Sequence, residues 1–162
     1  GIDVTHIDTH MGTVAHPKFM LDYVDLAVER GLPPLFPRLD EDGWRAMGLD
    51  GAAAALATQL TARLEGQGVP LLDHITGLPL EEPGDRLAVA RHALASLPAG
   101  ITHMVIHPAA DTPELRAITP DWPSRVADYR AFTSPELRDD VQRSGIKVIG
   151  YRTLRDLMRA SR

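Results

Sequence analysis

The sequence predicts an α/β protein in which parallel strands are wrapped by helices. Segments of strand character and segments of helical period alternate about five times, the pattern of βα units rather than of hairpins. The apolar runs are short, and they close in ligand-type side chains: His10, then Asp73 with His74, then His107. The helical segments between them carry apolar residues three and four apart, as a covering layer requires. Sites in folds of this class form where strands end, so these stretches are expected on one rim.

The first element is Val4 to His10, read as a strand from its β-branched content (Val4, Thr5, Ile7, Thr9) and the Gly12 that follows. In a strand His6, Asp8 and His10 share one face, and His10 is delivered at the C-terminal end. A loop from Met11 to His16 leads to a helix from Pro17 to about Arg30, whose buried face is Phe19, Met20, Tyr23, Val24, Ala27 and Val28. Gly31 stops it. Pro33 to Pro37 suits only a brief or edge strand. Asp40 to Asp50 reads as a loop with Trp44 tucked against the body, and Asp50 caps a second helix, Gly51 to Glu65, ended by Gly66 and Gly68.

Val69 to His74 is the next strand, apolar until Asp73 and His74. A third helix spans Pro83 to Leu97, with Leu87, Ala90, Leu94 and Leu97 on one side and Pro98-Ala99-Gly100 as its stop. Ile101 to His107 is a strand closed by Pro108. Ala109 to Asp121 lacks a period and reads as a loop with a short turn at Pro113-Glu114-Leu115, long enough to suspect a role. Helices follow over Trp122 to Phe132 and, from the cap Ser134-Pro135-Glu136, up to Gly145. Ile146 to Gly150 is the last strand. Thr153 caps a final short helix through Leu154, Leu157 and Met158.

Composition narrows the function. The 162 residues, 44% of them hydrophobic, suit one packed domain over residues 1–162. A net charge of −5 without a basic run points away from nucleic acid and from anionic membranes. There are no cysteines, which leaves His, Asp and Glu as metal-binding side chains and fits a reducing, cytoplasmic setting. No apolar run approaches the ~20 residues that span a bilayer, and the start carries no secretory pattern. Gly1 stands almost inside a strand with no initiating Met, so a piece of something longer is expected.

Among the candidate residues, His10 is either a metal ligand or a histidine satisfied by backbone at a strand end; Asp8 and His6 beside it favour the ligand. His6 lies deeper, as a packed supporting residue. Asp8 orients a neighbour or lines the pocket. His107 reads as a general acid/base or, more simply, as a strand terminator. Asp73 and His74 are weaker candidates for substrate contacts, His103 for the core, His16 for a cap, and His92 for an exposed helix face. Arg125 and Asp128, three apart, are expected to pair on the helix surface.

His6-Ile7-Asp8-Thr9-His10, Ile106-His107-Pro108, Asp121-Trp122 with Arg125 and Asp128, Thr133 to Arg138, and Ile149-Gly150-Tyr151-Arg152, in that order, resemble the YdjC-like carbohydrate deacetylase family. The resemblance covers nearly the whole chain. It implies a modified (β/α) barrel, incomplete in this chain, and a divalent metal, Mg2+ or Zn2+. It also implies hydrolysis of an N-acetyl group on an amino sugar or oligosaccharide. By the same resemblance His10 is the metal-binding histidine and His107 the general acid; beside them His6, Asp8, Asp73, His74 and Arg125 are expected as substrate-binding or supporting residues.

Two departures stand out. Gly12 occupies the position where family members often carry a further histidine. The family's N-terminal Asp-Asp-Phe-Gly and Gly-x-His stretches, which supply the other ligands and the base, do not occur, and Asp139-Asp140 lies inside a predicted helix. The chain therefore resembles the C-terminal part of such an enzyme, inactive by itself, with open strand edges that favour self-association into a homo-oligomer. Competing expectations are a non-catalytic barrel-like domain that binds a sugar or a partner chain, and a metal-dependent amide hydrolase on a non-sugar substrate.

Overall fold

A computed structural model describes residues 1–81 and 83–161. A 3-10 turn (His10–Ala15) is followed by α1 (Pro17–Arg30), α2 (Glu41–Ala46), α3 (Gly51–Gly66), β1 (His74–Gly77) and α4 (Arg86–Ala95). Then come β2 (Thr102–Val105), α5 (Pro113–Ile118), α6 (Trp122–Phe132), α7 (Pro135–Ser144) and α8 (Tyr151–Ala160). The named strands form one two-stranded parallel sheet, β1 beside β2, and the fold is mixed α/β with many helices. The chain divides into two compact units, residues 1–74 with 149–162, and residues 75–148.

The helix starts follow local chemistry. His16 Nδ1 accepts from the Lys18 amide ahead of Pro17, Asp50 Oδ1 accepts from Ala53, and Ser134 Oγ accepts from Leu137 ahead of Pro135. Gly31 and Gly145 close α1 and α7 at φ 59° and 79°, a region only glycine enters without strain.

In the first unit α1 and α3 pack their apolar faces together. Met20, Tyr23 and Val24 from α1 meet Ala54, Ala57, Leu60 and Leu64 from α3, with Phe36, Trp44 and Met158 completing the core. Beneath them the extended segments pair through single parallel bridges, Ile7 with Pro34 and Pro37 with Leu72. The prolines explain why no continuous ladder develops there: each lacks an amide to donate. In the second unit Leu78, Ala90 and Leu137 form a smaller core with Leu87, Met104, Ile106 and Phe132.

Several sequence expectations are corrected. The strand expected over Val4–His10 is a single bridge at Ile7, and His10 opens the 3-10 turn instead of closing a strand. Asp40 to Asp50 is not all loop: Asp40 caps α2 through the Gly43 amide, and Trp44 is buried as expected. The strand expected to end at His74 begins there, because the β-branched Ile75 and Thr76 carry the extended run onward. Thr112 accepts from the Leu115 amide and turns the expected bend at Pro113 into α5. Residues 146–150 form no strand, and α8 starts at Tyr151, ahead of Thr153. Among the described residues no helix is long and apolar enough to cross a membrane.

Candidate active site

In the first unit the candidate residues cluster around the Ile7 bridge. His6 stacks flat on Tyr151, with ring centroids 4.1 Å apart and planes 10° from parallel, and its Nδ1 lies 3.0 Å from Thr5 Oγ1. The ring is thus fixed on both a face and an edge. Asp8 is exposed and accepts from the Thr9 amide at 2.6 Å. Its negative charge also reaches two phenols. Burial pushes the Tyr151 hydroxyl up to about 12, and Asp8 adds to the shift. Burial likewise raises Tyr23 far above its ordinary range, and Asp8 again contributes.

His10 is exposed at the start of the turn. The turn is shaped by two threonines: Val14 donates to Thr9 Oγ1 at 3.1 Å, and Thr13 Oγ1 donates to the His10 carbonyl at 2.8 Å. Met11 and Gly12, between them, both take left-handed backbone angles, φ 55° and 70°. Asp73 pairs with Arg38 at 3.5 Å, sharing that guanidinium with Glu65, and His74 is half-buried at the start of β1.

In the second unit His107 lies two residues past β2, and its Nδ1 is buried without a hydrogen-bond partner among the described residues. No structural bond therefore fixes which tautomer the ring adopts. The segment after it is anchored where the Ala109 amide donates to the Arg125 carbonyl at 3.1 Å. Arg125 does not pair with Asp128 as expected. It forks onto Asp121, Nε to Oδ1 at 2.7 Å and Nη2 to Oδ2 at 3.0 Å. That guanidinium, followed by the Thr119 hydroxyl, holds the Asp121 carboxyl down at about 2.

Asp128 turns inward instead and meets Arg86, each no more than 3% exposed. Arg86 also donates to the Pro79 carbonyl at 2.6 Å, and Ser124 donates to the Leu80 carbonyl at 2.7 Å. Together these side chains fasten the backbone after β1 to α6. The sequence signal for this cluster was an arginine opening a helix otherwise apolar on one side, which alone does not name its partner. Among the described residues no group of three or more His, Cys, Asp or Glu side chains could hold a metal ion. His10 is a lone ligand candidate and does not by itself fit a metal, which needs several protein ligands.

Parallel pairing, helices packed on the extended segments, and histidines placed just past them define the α/β class. Within that class the chain belongs to the YdjC-like family: the family model described as YdjC-like protein matches residues 1–143. A curated relative, the "Carbohydrate deacetylase" of Thermus thermophilus, is 38% identical over 134 residues, which are 83% of this chain and 47% of that protein. The chain thus spans about half the length of this relative. Its fold matches a crystal structure from Enterococcus faecalis V583 described as a "putative cellobiose-phosphate cleavage protein", with TM-score 0.63 and 17% identity. That match covers 93% of this chain and 52% of the other, and it speaks to the fold alone.

Proposed function

We propose that this chain is part of a carbohydrate deacetylase that hydrolyses the N-acetyl group of an amino sugar or oligosaccharide, completed by residues outside these 162. The observation that carries the reading is the 38% identity to a protein named for that activity. In this reading His107 is the general acid: with Nδ1 buried and unpartnered, its ring is uncommitted to the fold and free to pass a proton to the departing amine. Arg125 and Asp121 hold the backbone that follows it, and His6, stacked on Tyr151, supports the stretch that ends in His10. Asp8, Asp73 and His74 line the approach of the sugar. A divalent metal, Mg2+ or Zn2+, belongs to the reading only if His10 gains further ligands from elsewhere, and no step above depends on it. The parallel sheet closes toward a barrel only with strands supplied from the same source.

A chimera tests this directly. The matched 134 residues of the Thermus thermophilus protein are replaced by the corresponding part of this chain, and acetate release from N,N′-diacetylchitobiose is followed. The expected result is an active chimera that loses roughly 10²-fold to 10⁴-fold in rate on His107→Ala and is also disabled by His10→Ala. A folded chimera without activity overturns the deacetylase. That outcome favours the second reading, a non-catalytic binding domain.

A further inference from the structure

We propose that the outward side of α6, carrying Trp122 and Tyr129, is a binding strip for a chain of sugars, and that Arg116 covers its indole until the sugar arrives. The proposal rests on the carbohydrate reading above and narrows it to an oligosaccharide. Ser124, Asp128 and Ala131 turn one side of α6 inward, where all three are buried. At about 100° per residue, Trp122, Arg125 and Tyr129 fall together on the other side. Two helical turns separate the two aromatic residues, so about 10 Å of helix lies between them. That span suits a β-1,4-linked disaccharide unit better than a single sugar.

Trp122 is not placed like a core residue. Trp44, the other tryptophan, is 2% exposed inside the first core. Trp122 is only half-buried, and the Arg116 guanidinium lies 4.5 Å over its ring. The cover is itself open to solvent: the Arg116 side chain is 52% exposed, and α5, which carries it, buries none of its residues. Asp111 forks onto that guanidinium from outside, through two bonds of 2.8 Å. A guanidinium and the C–H face of a pyranose are drawn to the same feature, the negative face of the indole. A sugar can therefore take the place of Arg116 without disturbing the buried side of α6.

The polar groups of the strip identify its ligand. Arg116 is matched by Asp111 and Arg125 by Asp121, each through two hydrogen bonds, so these arginines bring no spare charge for a phosphate or a carboxylate. Matched pairs beside an aromatic face suit a neutral ligand rich in hydroxyls, which accept from the guanidinium edges and donate to the carboxylates. The strip also adjoins the proposed chemistry. The Ala109 amide, two residues past His107, donates to the carbonyl of Arg125, about one turn along α6 from Trp122. An oligosaccharide on this strip lies beside the segment that leaves His107.

Isothermal titration of N-acetylglucosamine and of tetra-N-acetylchitotetraose into this chain tests the strip without requiring turnover. The tetrasaccharide is expected to bind roughly tenfold more tightly than the monosaccharide, and Trp122→Ala to weaken it by about as much. Tyr129→Ala is expected to erase most of the advantage of the longer sugar. Arg116→Ala, which uncovers the indole, is expected to tighten binding about two- to fivefold. Should Trp122→Ala fail to fold, Trp122→Phe serves, and is expected to keep part of the affinity. No binding of the tetrasaccharide, an affinity unmoved by the Trp122 variants, or weaker binding in Arg116→Ala overturns the proposal. An inactive chimera beside a chain that binds as expected overturns the deacetylase and leaves the strip standing; an active chimera beside equal affinities for both sugars overturns the strip alone.

Discussion

Arg86 and Asp128, 42 residues apart in sequence, form an ion pair inside the second unit, with Arg86 Nε 2.7 Å from Asp128 Oδ1. Burying either charge without the other would be costly. Asp128→Ala leaves the buried guanidinium without its carboxylate, and is expected to destabilise by about 3–5 kcal/mol. Arg86→Met with Asp128→Leu removes both charges and is expected to recover most of that loss. Urea unfolding of the two variants decides it: a double variant no more stable than the single one would mean the pair contributes through something other than mutual neutralisation.

Asp121 is set for acid sensitivity. Its carboxyl is held at about 2 against an ordinary 3.8, first by Arg125 and then by Thr119. A carboxylate depressed on folding stabilises above its unfolded pKa, and that contribution is lost as pH falls through the folded one. The Asp121 contribution is therefore complete above roughly pH 4 and disappears toward pH 2. Carboxyl NMR titration is expected to place its midpoint near 2. In Arg125→Gln the midpoint should move up toward the ordinary value. An unmoved midpoint would show that the guanidinium is not the cause.

These two aspartates also show what was legible in the sequence. Helix caps at His16, Asp50 and Ser134, and stops at Gly31 and Gly145, were readable because a cap is satisfied within a few residues of itself. Asp128 was not, because the pattern on one helix cannot report an arginine on another. Strand ends failed similarly: a strand extends only as far as its neighbour allows. The run ending at His74 continues to Gly77 beside β2, whereas Ile146 to Gly150, with strong strand composition, pairs with no strand among the described residues. Of the candidate site residues, His6, Asp8 and His10 are legible as one stretch; Tyr151, which stacks on His6 from far along the chain, is not, because no local pattern reports that contact.

Met11 carries backbone strain next to His10. It is the one non-glycine residue at positive φ among the described residues, at φ 55°, and its side chain is 88% exposed. The left-handed conformation costs an L-residue about 1–2 kcal/mol, and little packing offsets it. Met11→Gly removes that cost but adds about 0.5–1 kcal/mol of unfolded-state entropy. The substitution is therefore expected to be neutral or stabilising by up to about 1 kcal/mol. Thermal unfolding checks it, and a clear drop in Tm would show that the Met11 side chain makes a contact worth more than the strain.

Tyr23 ties α1 to the extended segments beneath it. Its hydroxyl donates to the Ile7 carbonyl at 2.9 Å and accepts from the Leu35 amide at 2.9 Å, so one phenol bridges both sides of the Ile7–Pro34 pairing. Tyr23→Phe keeps the ring in the core. It also leaves the Leu35 amide its bond to the Ile7 carbonyl, so the expected loss is only about 0.5–1.5 kcal/mol. Tyr23→Ala empties the site and is expected to cost roughly 3–5 kcal/mol, by analogy with Phe→Ala in cores. Ionisation acts in the same direction. Because burial raises the folded pKa, the unfolded chain loses this proton first, and stability falls as pH rises above the ordinary tyrosine value of about 10. Alkaline unfolding monitored by circular dichroism should therefore begin at a higher pH in Tyr23→Phe, relative to its own neutral-pH stability, and an unchanged profile would show that this phenol does not govern the transition.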